Sequence, residues 1–241
     1  MREIMSNINL PQHSIVDDFI ASVCHEHVEI LYKDDDILLI NKPSGLLSLS
    51  GKNPANWDSV HYRLVNGQPG LTAAFPTAKL PHRLDYGTSG IMIVGLNPES
   101  TKLLNKQFQS GTIKKHYIAM LDGWLLNDVG QINAAIVKDK LLFPLVKICN
   151  VTGKSAVSDY LVLQRLTSPP RTLVQFTPVT GRTHQLRIHS HSIGHPIIGC
   201  DLYKNQHSQQ LAERLQLHAS DLFFVHPRSS KQTHLHCPQP F

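Results

Sequence analysis

Cysteine is scarce in this sequence: four residues in 241, with Cys24, Cys149, Cys200 and Cys237 far apart and no CxxC pair among them. That spacing argues against a zinc ribbon or a disulfide framework and fits a reducing cytoplasm. Eighteen consecutive apolar residues occur nowhere, and the N-terminal segment carries acids in place of a sustained apolar run. Neither a membrane span nor a secretory leader is therefore expected. Internal repeats and low-complexity tracts are also missing. Acids are the minority charge, 18 against 23 Lys plus Arg, which leaves a formal net charge of +5 and a pI of about 9.0. A basic balance suits a polyanionic partner, although many basic enzymes never touch nucleic acid. With 41% hydrophobic residues the chain is long enough to bury a core as one domain or as two tightly joined lobes.

Along the chain, residues 1–27 read as an extension with at most one short helix around Ser14 to Val23. Val28 to Tyr32 and Ile37 to Asn41 are β-rich runs around Lys33-Asp34-Asp35-Asp36, which predicts a hairpin. The Asp triplet reads as a solvated turn or as metal ligands. Pro43 to Pro81 is loop-rich, with a short helix expected near Asp58 to Val65. Asn97-Pro98-Glu99 supplies an N-cap, a proline at the first helical position and an acid in the first turn; Leu103, Leu104 and Phe108 follow at helical spacing before Gly111. Tyr117 to Leu121, Ser158 to Leu163 and Thr172 to Thr177 read as strands, and Thr183 as the cap of a helix running to about Ile193 and stopped by Gly194. Strands and helices intermix without βαβ spacing, which makes the fold class α+β.

The densest concentration of chemistry is His82-Arg83-Leu84-Asp85-Tyr86-Gly87-Thr88-Ser89-Gly90, an acid, an imidazole, a guanidinium and two hydroxyls just before the apolar run Ile91 to Val94. A loop feeding a buried strand holds functional side chains rigidly; a surface loop with a salt bridge is the alternative. Arg187, read alone, is equally a surface ion-pair residue, and Tyr117 a strand aromatic. Lys114, Lys115 and His116 suit either a phosphate track or an exposed basic strand edge. The histidines His184, His189, His191 and His195, with Cys200, follow no usual zinc spacing.

His82-Arg83-Leu84-Asp85 followed by Thr88-Ser89-Gly90 resembles the signature of the RluA-type pseudouridine synthases, within the RluA/RsuA superfamily. Asn41-Lys42-Pro43-Ser44-Gly45-Leu46-Leu47-Ser48 resembles that family's first motif, and Lys115-His116-Tyr117-Ile118-Ala119 its tyrosine strand. Pro178 to Arg187 with Gly194 to Gly199 resembles the third block, and Leu217-His218-Ala219 with Val225-His226-Pro227 the C-terminal one. In order and spacing the resemblance spans residues 28 to 241.

The resemblance implies a curved, mixed, mainly antiparallel sheet in two lobes with a central RNA-binding cleft. It also implies conversion of uridine to pseudouridine in ribosomal or transfer RNA, without cofactor or metal, by a cytoplasmic monomer. Asp85 matches the catalytic aspartate, an ionised carboxylate that attacks sugar or base or assists elimination. Tyr117 matches the tyrosine beneath the target base, and with an ordinary phenol pKa near 10 it stacks more readily than it takes a proton. Arg187 matches the cation expected to keep Asp85 ionised. Its helix register places His184, Arg187 and His191 along one stripe, with Leu186 and Ile193 on another that can face the core. Arg83 is the candidate for the space vacated by the unstacked uridine. Arg182, Lys42 and His82 are candidates for phosphate or loop-ordering contacts, and Thr88, Lys115 and His184 for further RNA contacts.

Three departures stand out: Cys200 occupies the usual aspartate position, with Asp201 after it; Ser50-Gly51 replaces Pro-Gly; and Gly95 replaces a common alanine. No N-terminal RNA-binding domain is expected, since the first motif begins about forty residues in. Two rival functions are separable. A non-catalytic RNA-binding protein would be indifferent to losing Asp85, and a metal-dependent hydrolase would stop with chelator.

Overall fold

The computed structural model describes residues 19–68, 74–142 and 144–241. The predicted first hairpin is present as β1 (Glu29–Lys33) and β2 (Ile37–Lys42), and the short helix as α1 (Val60–Asn66), capped by the Ser59 side chain. Residues 19–23 are not helical, and the rest of the helix expected around Ser14 lies outside the described residues. Next come β3 (Ser89–Gly95) and α2 (Pro98–Gln109), whose Asn97 cap accepts from the Ser100 amide. β4 (Lys114–Asp122), β5 (Val129–Asn133), β6 (Ile136–Lys138), β7 (Val146–Ile148), β8 (Val157–Thr167) and β9 (Pro170–Pro178) follow. The chain ends with α3 (Gln185–Ser192), α4 (Gln206–Gln210), β10 (Leu217–Val225) and β11 (Gln232–His236).

Eight strands run in the order β1-β2-β3-β10-β4-β9-β8-β5, β11 pairs with β10, and β6 and β7 form a separate hairpin. Only β3 and β10 pair in parallel; every other pairing in the sheet is antiparallel. The fold is thus α+β with a mixed sheet, as expected. Gly90, at φ +116°, permits the parallel contact: a Cβ there would stand 2.3 Å from the Ala219 carbonyl.

Ile37, Leu38, Leu39 and Ile40 are all buried because both faces of the sheet are covered. Leu38 and Ile40 pack with Met92, Val94 and the α1 residues Val60 and Leu64. Ile37 and Leu39 pack with Ile91, Ile93 and Leu104 of α2. A third cluster joins Ala119 and Leu121 of β4 to Val174 and Phe176 of β9 and to Leu186 and Ile188 of α3.

One helix departs from expectation. Thr183 does not cap α3; His184 does, in the left-handed conformation at φ 54° and without a side-chain cap bond. The stripe reading fails as well. Gln185 to Ser190 are all buried while Ile193 is exposed, because a short helix enclosed on more than one side has no free face.

Candidate active site

The loop before β3 is gripped on both sides of Asp85. Ser48 Oγ donates to the Leu84 carbonyl at 2.7 Å and accepts from the Leu84 amide at 3.1 Å. After Asp85, the Tyr86 carbonyl accepts from the Gly45 amide at 3.0 Å and from Lys42 Nζ at 3.1 Å. Ser44 Oγ reaches the Gly87 carbonyl at 2.7 Å. The turn closes on itself where the Thr88 amide donates to the Asp85 carbonyl at 3.1 Å. The stretch 42–48 therefore acts as a backbone cradle for the acid.

The acid opens on a cavity of about 800 Å³. His82, Arg83, Asp85 and Thr88 line it from the loop, Lys114, Lys115, His116 and Tyr117 from β4, and Arg182, His184 and Arg187 from the stretch entering α3. Burial, and secondarily the charge of Asp85, pushes the Tyr117 phenol well above its ordinary value, so the hydroxyl stays protonated at neutral pH. Among the described residues no group donates to or accepts from that hydroxyl, and Arg83 is likewise exposed and without a partner.

Arg187 is 3% exposed. Burial lowers its pKa, but Cys200, Asp201 and Asp85 together outweigh that and raise it. Its Nη2 pairs with the Asp201 carboxylate and lies 3.4 Å from Cys200 Sγ, while the guanidinium sits over the Tyr203 ring, 5.6 Å from its centroid. Nε is buried with no partner among the described residues. Tyr203 in turn contacts His184 Nδ1 at 3.0 Å and accepts from the Val146 amide at 2.8 Å.

Residues 36–192 match the family described as RNA pseudouridylate synthase. The chain is 42% identical over 212 residues to the dual-specificity RNA pseudouridine synthase RluA of Yersinia pestis, covering 88% of this chain and 99% of that protein. The corresponding enzyme of Haemophilus ducreyi is 44% identical over 207 residues, covering 85% and 90%. This chain belongs to the RNA pseudouridylate synthase family. It is an isomerase by that membership, and its reaction converts uridine to pseudouridine in RNA. Human RNA pseudouridylate synthase domain containing 1 has a similar structure, with a TM-score of 0.71 at 27% identity over 90% of this chain and 85% of that one. Domain containing 4 of the same series, with a TM-score of 0.69 at 23% identity over 88% of each chain, shares the fold.

Against the sequence expectations, this synthase brings nine of ten candidate residues to one cavity: His82, Arg83, Asp85, Thr88, Lys115, Tyr117, Arg182, His184 and Arg187. Lys42 is the exception: of its two expected roles it takes loop ordering, and the RNA contact is corrected. It is fully buried, and Nζ donates to the carbonyls of Pro43, Leu46 and Tyr86, so all three ammonium hydrogens serve loop order and none is left for a phosphate. His82 lines the cavity but not as a cation. Burial, with the Lys115 charge, pushes its pKa down to about 3, and Nε2 accepts from the Ile93 amide at 3.0 Å. The direct ion-pair partner of Arg187 is Asp201, while Asp85 acts on it through its charge; the acid displaced by Cys200 reappears one residue later.

Phe108 and Gln185 also line the cavity, and Asp201 and Tyr203 stand behind it against Arg187 and His184. Phe108 read as an ordinary apolar helix position, yet its ring stacks on His82 at 4.6 Å and lies 5.9 Å from Lys115 Nζ. Tyr203 carries no local sequence signal. Of the histidines considered for zinc, His189 bonds Ser158 Oγ and the Ala134 carbonyl, and His195 the Asp122 carbonyl.

Proposed function

We propose that Asp85 is the catalytic carboxylate of this synthase, that the target uracil stacks on Tyr117, and that the substrates are structured ribosomal and transfer RNAs. The observation that carries this reading is the convergence of Asp85, Tyr117 and Arg187 on one cavity, with the charge of Asp85 felt by both partners. In the reaction the N-glycosidic bond of uridine breaks, the base turns while bound, and a bond forms from the ribose to carbon 5, which gives up its proton while the freed ring nitrogen takes one up. The loop grip on Leu84, Tyr86 and Gly87 keeps the carboxylate in place during the turn. Tyr117 supplies a flat apolar surface on which the base rotates. Arg187 acts on Asp85 through the electrostatic field, its direct contact being Asp201.

Reaching the sugar bond requires the uridine to leave its stack, which costs on the order of a few kcal/mol. Arg83, exposed and unpartnered among the described residues, fills the vacated space. Lys115, Arg182, His184 and Thr88 hold the backbone and flanking nucleotides. In this reading residues 28–241 form the catalytic unit, behind an extension of residues 1–27. The sheet's two halves act as lobes with RNA crossing between them, and the enzyme works as a cytoplasmic monomer. Action on more than one RNA agrees with the dual-specificity name of its relatives. Among the described residues no helix is long and apolar enough to cross a membrane.

The test is tritium release from ribosomal and transfer RNA transcripts labelled at carbon 5 of uridine, comparing the wild-type protein with Asp85→Asn, each with and without chelator. Wild-type release that survives chelation and falls to background in the variant is the expected result. Full release by Asp85→Asn would sink the assignment of Asp85, and loss with chelator would favour the metal-dependent alternative.

A further inference from the structure

A second cavity, of about 1070 Å³, lies along α2. Pro98, Thr101, Lys102, Asn105, Lys106 and Gln109 line it, recurring every three or four residues, so they form one face of the helix. Lys79, in the segment leading to the catalytic loop, closes the opposite wall. Leu104 is buried against the sheet and Phe108 lines the active cavity, so the two spaces share α2. The three ammonium groups of Lys79, Lys102 and Lys106 are exposed, none has a carboxylate within ion-pair distance among the described residues, and no acid lines the groove.

We propose that this groove is a second RNA-binding site, taking the phosphate backbone of the substrate beyond the nucleotides held at the active cavity; the inference rests on the reading of the chain as acting on RNA. A concave wall with cations of one sign and no acid concentrates a field that attracts polyanions. Asn105 and Gln109 add neutral donors, and Pro98 and Leu103 give an apolar floor suited to ribose faces. The twelve residues of α2 span about 18 Å, so a strand entering the active cavity past Phe108 reaches the groove within a few nucleotides. No spacing rule in the sequence joins Lys79 to Lys102 and Lys106; only the fold brings them to one groove.

The experiment compares the wild-type protein with the triple variant Lys79→Gln, Lys102→Gln, Lys106→Gln. Glutamine keeps length and helix propensity, and an unchanged urea midpoint checks folding. Dissociation constants for a labelled transfer RNA transcript and for a stem-loop too short to span α2 are measured from about 50 to about 200 mM salt. The groove predicts that the log–log salt slope for the full transcript becomes shallower by about 2 in the variant, from about 0.7 per lost single-strand phosphate contact. It also predicts no change with the stem-loop and unaltered tritium release at saturating RNA. An unchanged slope for the full transcript overturns the proposal, as does equal loss with the short stem-loop or a wild type that does not bind. A wild type that binds and shows the predicted slope difference but releases no tritium overturns the isomerase reading and leaves the groove in place.

Discussion

Lys42 places an ammonium group where no water reaches it, and burial pushes its pKa down to about 7. Its three hydrogens are all donated, to the Pro43, Leu46 and Tyr86 carbonyls, and Tyr86 directly follows Asp85. A lysine here is a cross-link between the first motif and the loop of Asp85. Lys42→Met fits the apolar stem but strands the Pro43 and Leu46 carbonyls and leaves that of Tyr86 only the Gly45 amide. It is expected to cost about 2 kcal/mol by urea denaturation, given about 1–3 kcal/mol for a buried group left unsatisfied. Turnover should fall more than RNA affinity, because the loop geometry loosens while the cavity wall remains. An unaltered urea midpoint and rate would show that the backbone bonds of Ser48 and Gly45 hold the loop unaided. Arg187 illustrates the opposite case: its Nε is buried and unpartnered among the described residues, and its charge is held by Asp201 and Cys200.

At the scale of elements, α2 joins three parts of the chain. Asn97 caps it and also donates to the Asp36 carboxylate at 2.8 Å; Ser100 Oγ bonds the same carboxylate at 2.8 Å, and Arg228 pairs with it from near the C terminus. Those bonds, Arg228 first, hold Asp36 far below the usual carboxylate range. The helix thereby fixes the start of β2, and its Phe108 forms part of the active cavity. Asn97→Ala removes both the cap and the bond to Asp36. A stability loss of about 1 kcal/mol is expected for the cap, more if the link to Asp36 adds to it. Thermal unfolding measures it, and a loss below about 0.3 kcal/mol would mean that packing of Leu104 alone places the helix.

For the whole molecule, acid sensitivity follows from its buried imidazoles. Burial pushes His82 down to about 3 and His218 to about 4, from an ordinary value of 6.5, and lowers His184 and His189 as well. Between 6.5 and those values the unfolded chain binds protons that the folded chain excludes, so stability falls as pH drops through the window and is insensitive to these groups above it. The urea midpoint should therefore be lower at pH 4.5 than at pH 7.5. His82→Gln, whose side-chain carbonyl can still accept from the Ile93 amide, should narrow the difference. The same slope in that variant would assign the acid sensitivity to other groups.

Much of the local structure was written in the sequence. The Asn97-Pro98 cap, the β2 apolar run and the strands around Tyr117 and Thr172 each depend on neighbours a few residues apart, which spacing alone reports. The motif around Asp85 likewise marked the acid because its residues are contiguous. The tertiary structure decided what depends on distant segments meeting. Lys42 turns inward because Tyr86, 44 residues on, offers a carbonyl; Arg187 pairs with Asp201 because the chain after α3 folds back over the helix. Tyr203 reaches His184 and Arg187 from a segment with no signature, and β10 lies between β3 and β4, which precede it by about a hundred residues or more. Local propensity is additive along the chain, whereas the protonation, partners and burial of a side chain are set by whatever the fold brings against it.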